Sequence, residues 1–287
     1  MSSLVLFETA SPVLAIDVYN LAHRALNAYS GLTAGGKPSG HVYGFVRMLL
    51  SYCKKHGTND LWYALEGIPE ERKRILPEYK ANRPHNHSDL LEEIRELVYL
   101  LPGQVWYNPK LEADDILAMM THKNKRGDRP LVIVTGDRDL YQFVGKEGVL
   151  VWNKDHLVDD VEVRASFDVG PRSVALVKAI FGDPGDNVKP AVPYLKREAV
   201  LTLIETRQMK TLEDLRERFS ELPKAIQARL DGHWAELDRN WKVVKLRTKF
   251  AKGTIITPGP KSPLKLLNFL KRFSCKSLYE PIKELWT

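Results

Sequence analysis

Nine carboxylates stand where a parallel sheet would bring them together: Asp17, Glu66, Glu112, Asp114, Asp115, Asp137, Asp139, Asp183 and Asp186. Asp17, Glu66 and Asp137 end or follow short apolar runs, in "VLAID", "LWYALEG" and "LVIVTGD", and Asp139 comes two residues later. Glu112, Asp114 and Asp115 open a helix in "LEADDILA", where the helix dipole tolerates anions. Asp183 and Asp186 lie in the Gly/Pro turn "FGDPGDNVK". Taken singly, each has an ordinary explanation as a helix cap or turn former. Sharing one cleft, they require cations, because two like charges roughly 5 Å apart repel by about 3 kcal/mol at an effective dielectric of about 20. No cysteine or histidine accompanies them at ligand spacing, which argues against zinc, and an all-oxygen set favours Mg²⁺ or Mn²⁺. Such ions suit phosphodiester hydrolysis, one lowering the pKa of the attacking water and another stabilising the leaving oxygen.

Acids so placed need a particular scaffold. The runs "PVLAIDVYN", "LWYALEG" and "LVIVT" predict strands, the last fully buried. Residues 40 to 57 predict a helix, with Val42, Phe45, Val46, Leu49, Leu50 and Cys53 on one face and Gly57 to stop it. Ser88 offers an N-cap to "DLLEEIRELVYLL". The order β-α-β-α-α-β implies an α/β fold with a mostly parallel central sheet and helices on both faces. Ligands of such sheets bind beyond the C-terminal ends of the strands. After about residue 165 the pattern turns helical, in "PRSVALVKAIFG", "KREAVLTLIETR", "TLEDLRERF", "LPKAIQARL" and "SPLKLLNFLKRF". The last of these is expected to start with Ser262 as N-cap and Pro263 at the first helical position. The expected division is an α/β core over 1–165 and a helical region over 166–287 packed upon it.

The chain has 287 residues, a formal net charge of +7 and 44% hydrophobic content, ordinary for a globular protein with a substantial core. The basic balance fits a polyanionic partner such as nucleic acid. "RKR" at Arg72, Lys73 and Arg74, with Lys80 and Arg83, forms a basic cluster beside the acids, suited to a phosphate backbone. No apolar run reaches the length of a membrane span, and the N-terminus lacks the pattern of a secretory signal. Cys53 and Cys275 show no metal-ligand spacing, so a reduced, cytoplasmic protein without a disulfide framework is expected.

From "AIDVYNLAHRA", "PSGHVYGF", "YKANRP", "LEADDILA", "VTGDRDLYQFV" and "GDPGDN", the chain resembles the flap endonucleases, or structure-specific 5′-nucleases, in particular the free-standing phage enzymes and the 5′-nuclease domain of bacterial DNA polymerase I. The likeness runs from about residue 13 to the C-terminus. It implies a PIN-like nuclease core, a helical arch over about 68–100 and a helix-three-turn-helix-like element in the C-terminal half. It implies cleavage of 5′ flaps at DNA junctions and 5′→3′ exonuclease action in replication or repair, with two divalent metal ions, by a monomer. By motif, Asp17, Glu66, Glu112 and Asp114 match ligands of a first metal region, and Asp137, Asp139, Asp183 and Asp186 those of a second, with Asp115 in support. Lys80 and Arg83 match residues facing the scissile phosphate, Tyr79 a base-stacking position and Arg24 a phosphate contact.

Two departures stand out. The family usually has aspartate where this chain has Glu66. Its glycine-bearing hairpin is replaced by "VKPAVPYLKREAV", in which Pro190, Pro193 and Leu195 stand in the glycine positions. Proline has no N–H to offer a phosphate. This argues against the family's monovalent-cation site and shifts duplex contact to Lys189, Lys196 and Arg197. The alternatives are a junction-binding protein that does not cut, a PIN-type ribonuclease and a haloacid-dehalogenase-type phosphatase. The last wants a second acid on the first strand, where "AIDVYN" has tyrosine.

Overall fold

The computed structural model describes residues 11–82, 88–124 and 129–286. The first half is built from β1 (Val13–Asp17), α1 (Val18–Ala28), the small hairpin β2 (Thr33–Ala34) and β3 (Lys37–Pro38), α2 (Gly40–His56) and β4 (Leu61–Leu65). There follow α3 (Glu70–Ile75), α4 (Ser88–Tyr99), β5 (Gln104–Tyr107), α5 (Ala113–Lys123), β6 (Leu131–Val134), β7 (Val149–Asn153) and β8 (His156–Leu157). The second half carries α6 (Asp160–Phe167), α7 (Val174–Phe181), α8 (Arg197–Thr206), α9 (Leu212–Glu217), α10 (Lys224–Leu230), α11 (Trp234–Val244), β9 (Ile255–Pro258), α12 (Leu264–Arg272) and α13 (Tyr279–Lys283).

The main sheet has seven strands in the order β8-β7-β6-β1-β4-β5-β9. The inner strands run parallel, and β8 and β9 add antiparallel edges. Parallel strands are covered on both faces and read as continuous apolar runs, and every residue of β1 and β6 is buried. The alternate faces feed separate cores: Ala15 and Ile133 join one cluster with α5, α7 and α11, and Leu14, Ile16 and Val132 join another with α1, α2, α4 and α12. Cys53 and Cys275 are both buried in the second cluster as free thiols. Among the described residues no helix is long and apolar enough to cross a membrane.

Helix α2 ends as its sequence requires, with Gly57 at φ 60° in the left-handed region. Four features differ from the sequence expectation. Strands β5 and β7 are additional parallel members, and the second half is not wholly helical, because β9 completes the sheet by pairing with β5. Helix α12 starts one residue later than expected, with Pro263 as the cap and Leu264 first. Helix α11 was not foreseen. The segment expected as an arch supplies α3 and α4. Ile94, Leu97 and Val98 of α4 are buried in the second core, and 83–87 lie outside the described residues.

Helix α11 holds part of the site in place through one buried amide. Asn240 is fully buried, and its side-chain amide donates to the carbonyls of Ala179 (3.1 Å) and Lys189 (2.8 Å). It thus clamps the turn that carries Asp183 and Asp186. Replacing Asn240 with Leu should cost roughly 2–6 kcal/mol, at about 1–3 kcal/mol for each of the two carbonyls left without a donor. Urea unfolding will read this as a lowered midpoint at unchanged slope.

Candidate metal centre

Strands β6, β1 and β4 lie side by side, with Ile16 opposite Val134 and Asp17 opposite Ala64. Their C-terminal ends are therefore level. Asp17 closes β1, Glu66 follows β4 directly, and Asp137 stands three residues beyond β6. Asp17 is also the N-cap of α1: one carboxylate oxygen accepts from Asn20 N–H (3.2 Å) and the other from the Thr135 hydroxyl (2.7 Å). The cap and the site role belong to the same side chain. Asp137 accepts from the backbone N–H of Asp139 at 2.8 Å, which holds the two acids on adjacent sides of a tight turn. Asp183 accepts from Gly185 N–H at 3.1 Å. Gly182 before it has φ 78°, and a Cβ there would meet the Val188 carbonyl oxygen at 2.4 Å, so only glycine lets this turn fold back.

The acids gather. Ligand atoms of Asp139, Asp183 and Asp186 lie within 4.8 Å of one another. Burial, then the charges of Asp137, Asp17 and Asp139, push the Asp114 carboxyl well above the usual range. Asp17 is pushed up to about 6, first by burial and also by Asp137. Asp139 is pushed up to about 6 by burial, offset in part by Lys178. Glu66 is close enough to Tyr19 to contribute to its raised pKa, which burial dominates.

Three cations are found among these acids. Lys80, at φ 55°, donates to Glu112 at 2.5 Å and lies 3.8 Å from Asp186. Lys178, from α7, bridges Asp139 and Asp183, the latter at 2.6 Å. Arg72, from α3, donates to Glu112 (2.6 Å), to both oxygens of Asp115 (2.6 and 2.9 Å) and to the Val243 carbonyl (2.7 Å). Among the described residues the clustered acids outnumber the three cations set among them, and the donors are all oxygen. The described residues thus fit an oxygen-binding divalent cation, with the two lysine ammoniums spanning carboxylate pairs that such a cation could span.

Several expected roles meet a different placement. Arg72 is 8% exposed and fully engaged, so it stabilises the site from within rather than facing a phosphate. Lys73 and Arg74, on the outer side of the same helix, are exposed. Asp115 is buried and accepts from Arg72 and from the backbone N–H of Arg247 (2.9 Å), which commits it to support. Tyr79 is also buried, its hydroxyl hydrogen-bonded to Glu112 (3.0 Å) and Asp186 (2.9 Å), and is not positioned to stack on a base. Arg24 donates to the Tyr52 hydroxyl at 2.8 Å. Lys189, Lys196 and Arg197 are exposed, with Arg197 over the Phe181 ring. Arg83 lies outside the described residues. Lys178 and Thr135 were missed. Lys178 had a signal, as the one charge in the apolar helix "VALVKAIF".

Two outcomes follow. Arg72→Met should lower stability by about 3–5 kcal/mol in chemical denaturation, because it leaves buried carboxylates unpaired; a docking residue would instead lose DNA affinity with stability intact. The raised carboxyls hold their protons longer folded than unfolded. Their contribution to stability is therefore full below pH 3.8 and lost as pH rises through about 6 for Asp17 and Asp139. A divalent cation must displace those protons at low pH. The rise in melting temperature on adding Mg²⁺ should be clearly larger at pH 7.5 than at pH 5, by differential scanning fluorimetry with EDTA controls.

Residues 12–168 match the family described as 5′-3′ exonuclease, N-terminal resolvase-like domain. The thermostable DNA polymerase I of Thermus aquaticus is 31% identical over 249 residues, which is 85% of this chain and 30% of that protein. The chain thus spans about a third of the polymerase relatives it matches. A 5′-3′ exonuclease of Buchnera aphidicola is 25% identical over 254 residues, covering 86% of this chain and 83% of that one. Among solved structures, the T5 D15 protein co-crystallised with metal ions superposes with a TM-score of 0.67 at 18% identity, over 96% of this chain and all of that one. This structural likeness shows a shared fold. With more than half its length matched to the family, the chain belongs to the 5′-3′ exonuclease family of 5′-nucleases, as its acidic motifs had indicated.

Proposed function

We propose that this chain is a metal-dependent 5′-nuclease that cuts phosphodiester bonds at 5′ flaps and junctions of branched DNA and also trims 5′ ends, using two Mg²⁺ or Mn²⁺ ions. The observation that carries this is the placement of acids from five separate segments at and beyond the C-terminal ends of β1, β4 and β6, with ligand atoms of Asp139, Asp183 and Asp186 within 4.8 Å of one another. Asp17, Glu66, Glu112 and Asp114 would hold one ion. Asp139, Asp183 and Asp186 would hold the other, and Asp137 would stand between the two sets. Bound ions would supply an activated water and charge stabilisation for the leaving oxygen.

The chain's own residues would do the rest. Arg72 fixes the direction of Glu112. Thr135 and the α1 N-terminus hold both oxygens of Asp17. Lys80, which now donates to Glu112, would offer its ammonium to a non-bridging phosphate oxygen and stabilise the charge of the transition state. Arg83 would join it, on the strength of the "YKANRP" motif. Lys73, Arg74, Lys189, Lys196 and Arg197 would meet the DNA backbone.

The test is cleavage of a 5′-labelled flap duplex, compared with blunt duplex and single strand, in Mg²⁺, Mn²⁺ and EDTA. Metal-dependent products from near the junction are expected, and a marked Mn²⁺ preference would implicate Glu66. Asp137→Ala should bring cutting to background while DNA binding in EDTA is kept. Lys80→Ala should slow single-turnover cleavage by about 10²–10³ with little change in binding. Tight junction binding with no cutting under any metal would leave a junction-binding protein instead.

A further inference from the structure

From Arg239 to Tyr279 the chain carries eleven lysines and arginines and no aspartate or glutamate. The first part of this tract lines a groove together with the Arg72–Asp115 pair. Helix α11 and the loop after it place Lys242, Lys245, Arg247, Thr248 and Lys249 around a volume of about 440 Å³ that Lys110 also lines. Their side chains are exposed, Thr248 less so. The acids of α3 balance only part of this charge: Glu70 pairs with Lys110 at 2.9 Å, both more than half exposed, and Glu71 pairs with Arg247. Among the described residues no ion pair reaches Lys242, Lys245 or Lys249, and Lys245 lies over the Trp241 ring. The floor is rigid, because the Arg247 N–H is held by Asp115, which Arg72 grips in turn.

Three amines that no ion pair reaches among the described residues, set along one groove, make a region of positive potential that attracts anions. We propose that this groove, which Arg72 and Asp115 also line, is a second phosphate-backbone site that holds a stretch of DNA strand away from the bond being cut. The inference rests on the DNA-nuclease reading above. A groove whose amines are exposed and spread from the end of α11 along the run after it suits a continuous strand with repeating charges. Through Arg247, Asp115, Arg72 and Glu112, the strand would lie on the same rigid frame as the acid cluster.

The test uses the full chain with Lys242, Lys245 and Lys249 all changed to Ala. A control with Lys261, Lys265 and Lys276 changed to Ala removes equal charge from exposed positions outside the groove. Binding of a labelled flap duplex is followed by fluorescence anisotropy in EDTA across a salt series, with cleavage measured separately at saturating enzyme. The groove variant should lose affinity roughly tenfold, and its slope of log K against log salt should shrink by about 2 to 3, at about 0.9 per phosphate contact. Its single-turnover rate at saturation should be unchanged, and the control should bind as wild type does. Equal losses in both variants, or no loss in either, would overturn the proposal. So would millimolar inorganic phosphate raising the melting temperature of wild type but not of the groove variant while DNA affinity stays equal, since that marks a free-phosphate site. A selective binding loss in the groove variant, alongside a wild type that never cuts, would sink the nuclease reading and leave the groove assignment standing.

Discussion

Negative charge crowded into one place, where the acids outnumber the cations among the described residues, is the constraint around which this molecule is built. The level strand ends bring acids together because β1 lies between β4 and β6 in parallel register, and nothing in the sheet relieves their repulsion. Two apolar cores, one on each face of the sheet, hold the acids where they would not gather alone. The chain also spends three buried or half-buried cations and two hydroxyls, those of Tyr79 and Thr135, on the same spot. A protein selected for stability alone would replace such a cluster with apolar side chains, which often does as well or better. That it is kept, with acids outnumbering the cations among the described residues, is the physical case for a bound cation.

The acids and the strands beneath them were legible because both signals are local. A short buried strand is a run of apolar residues, and the acid that ends it is the next letter. Helix α2 was legible from its period and from Gly57. Strand β9 was not, since "IITP" gains its identity only from β5, some 150 residues earlier. The basic cluster "RKR" was legible as charge and not as direction. Arg72 faces the cores and Lys73 and Arg74 face water, a difference set by how α3 lies on α5 and α11. Lys178 was hidden for the opposite reason: its surroundings read as core, which they are, and its charge was answered by acids from two other segments.

The hairpin after α7 shows which parts of a family pattern are backbone requirements and which are surface choices. Gly182 meets a strict one, with the Val188 carbonyl where a Cβ would stand. Asn187, at φ 58°, meets a milder one with a residue that tolerates the left-handed region. Beyond them the chain departs freely, with Pro190, Pro193 and a 90% exposed Tyr194 that is itself left-handed at φ 55°. The departures fall past the clamp of Asn240 on the Lys189 carbonyl, so the position of Asp183 and Asp186 survives them. What changes is the outer rim, where two amide donors are gone and lysine and arginine side chains remain.

The same geometry argues that the two halves of the chain cannot be treated as a catalytic part and a binding part. Asp115 is satisfied by two donors on Arg72 and by the N–H of Arg247, so it has no call to hold a metal. Its work is to fix Arg72, which also reaches Glu112 and the Val243 carbonyl. One guanidinium thereby joins α3, the N-terminus of α5 and the end of α11. Asp183 and Asp186 come from the second half outright, and Lys178 ties them to Asp139 of the first. Removing the second half would take away two of the acids, one of the counter-cations and the carbonyl that orients another. The site is therefore a property of the interface between the halves.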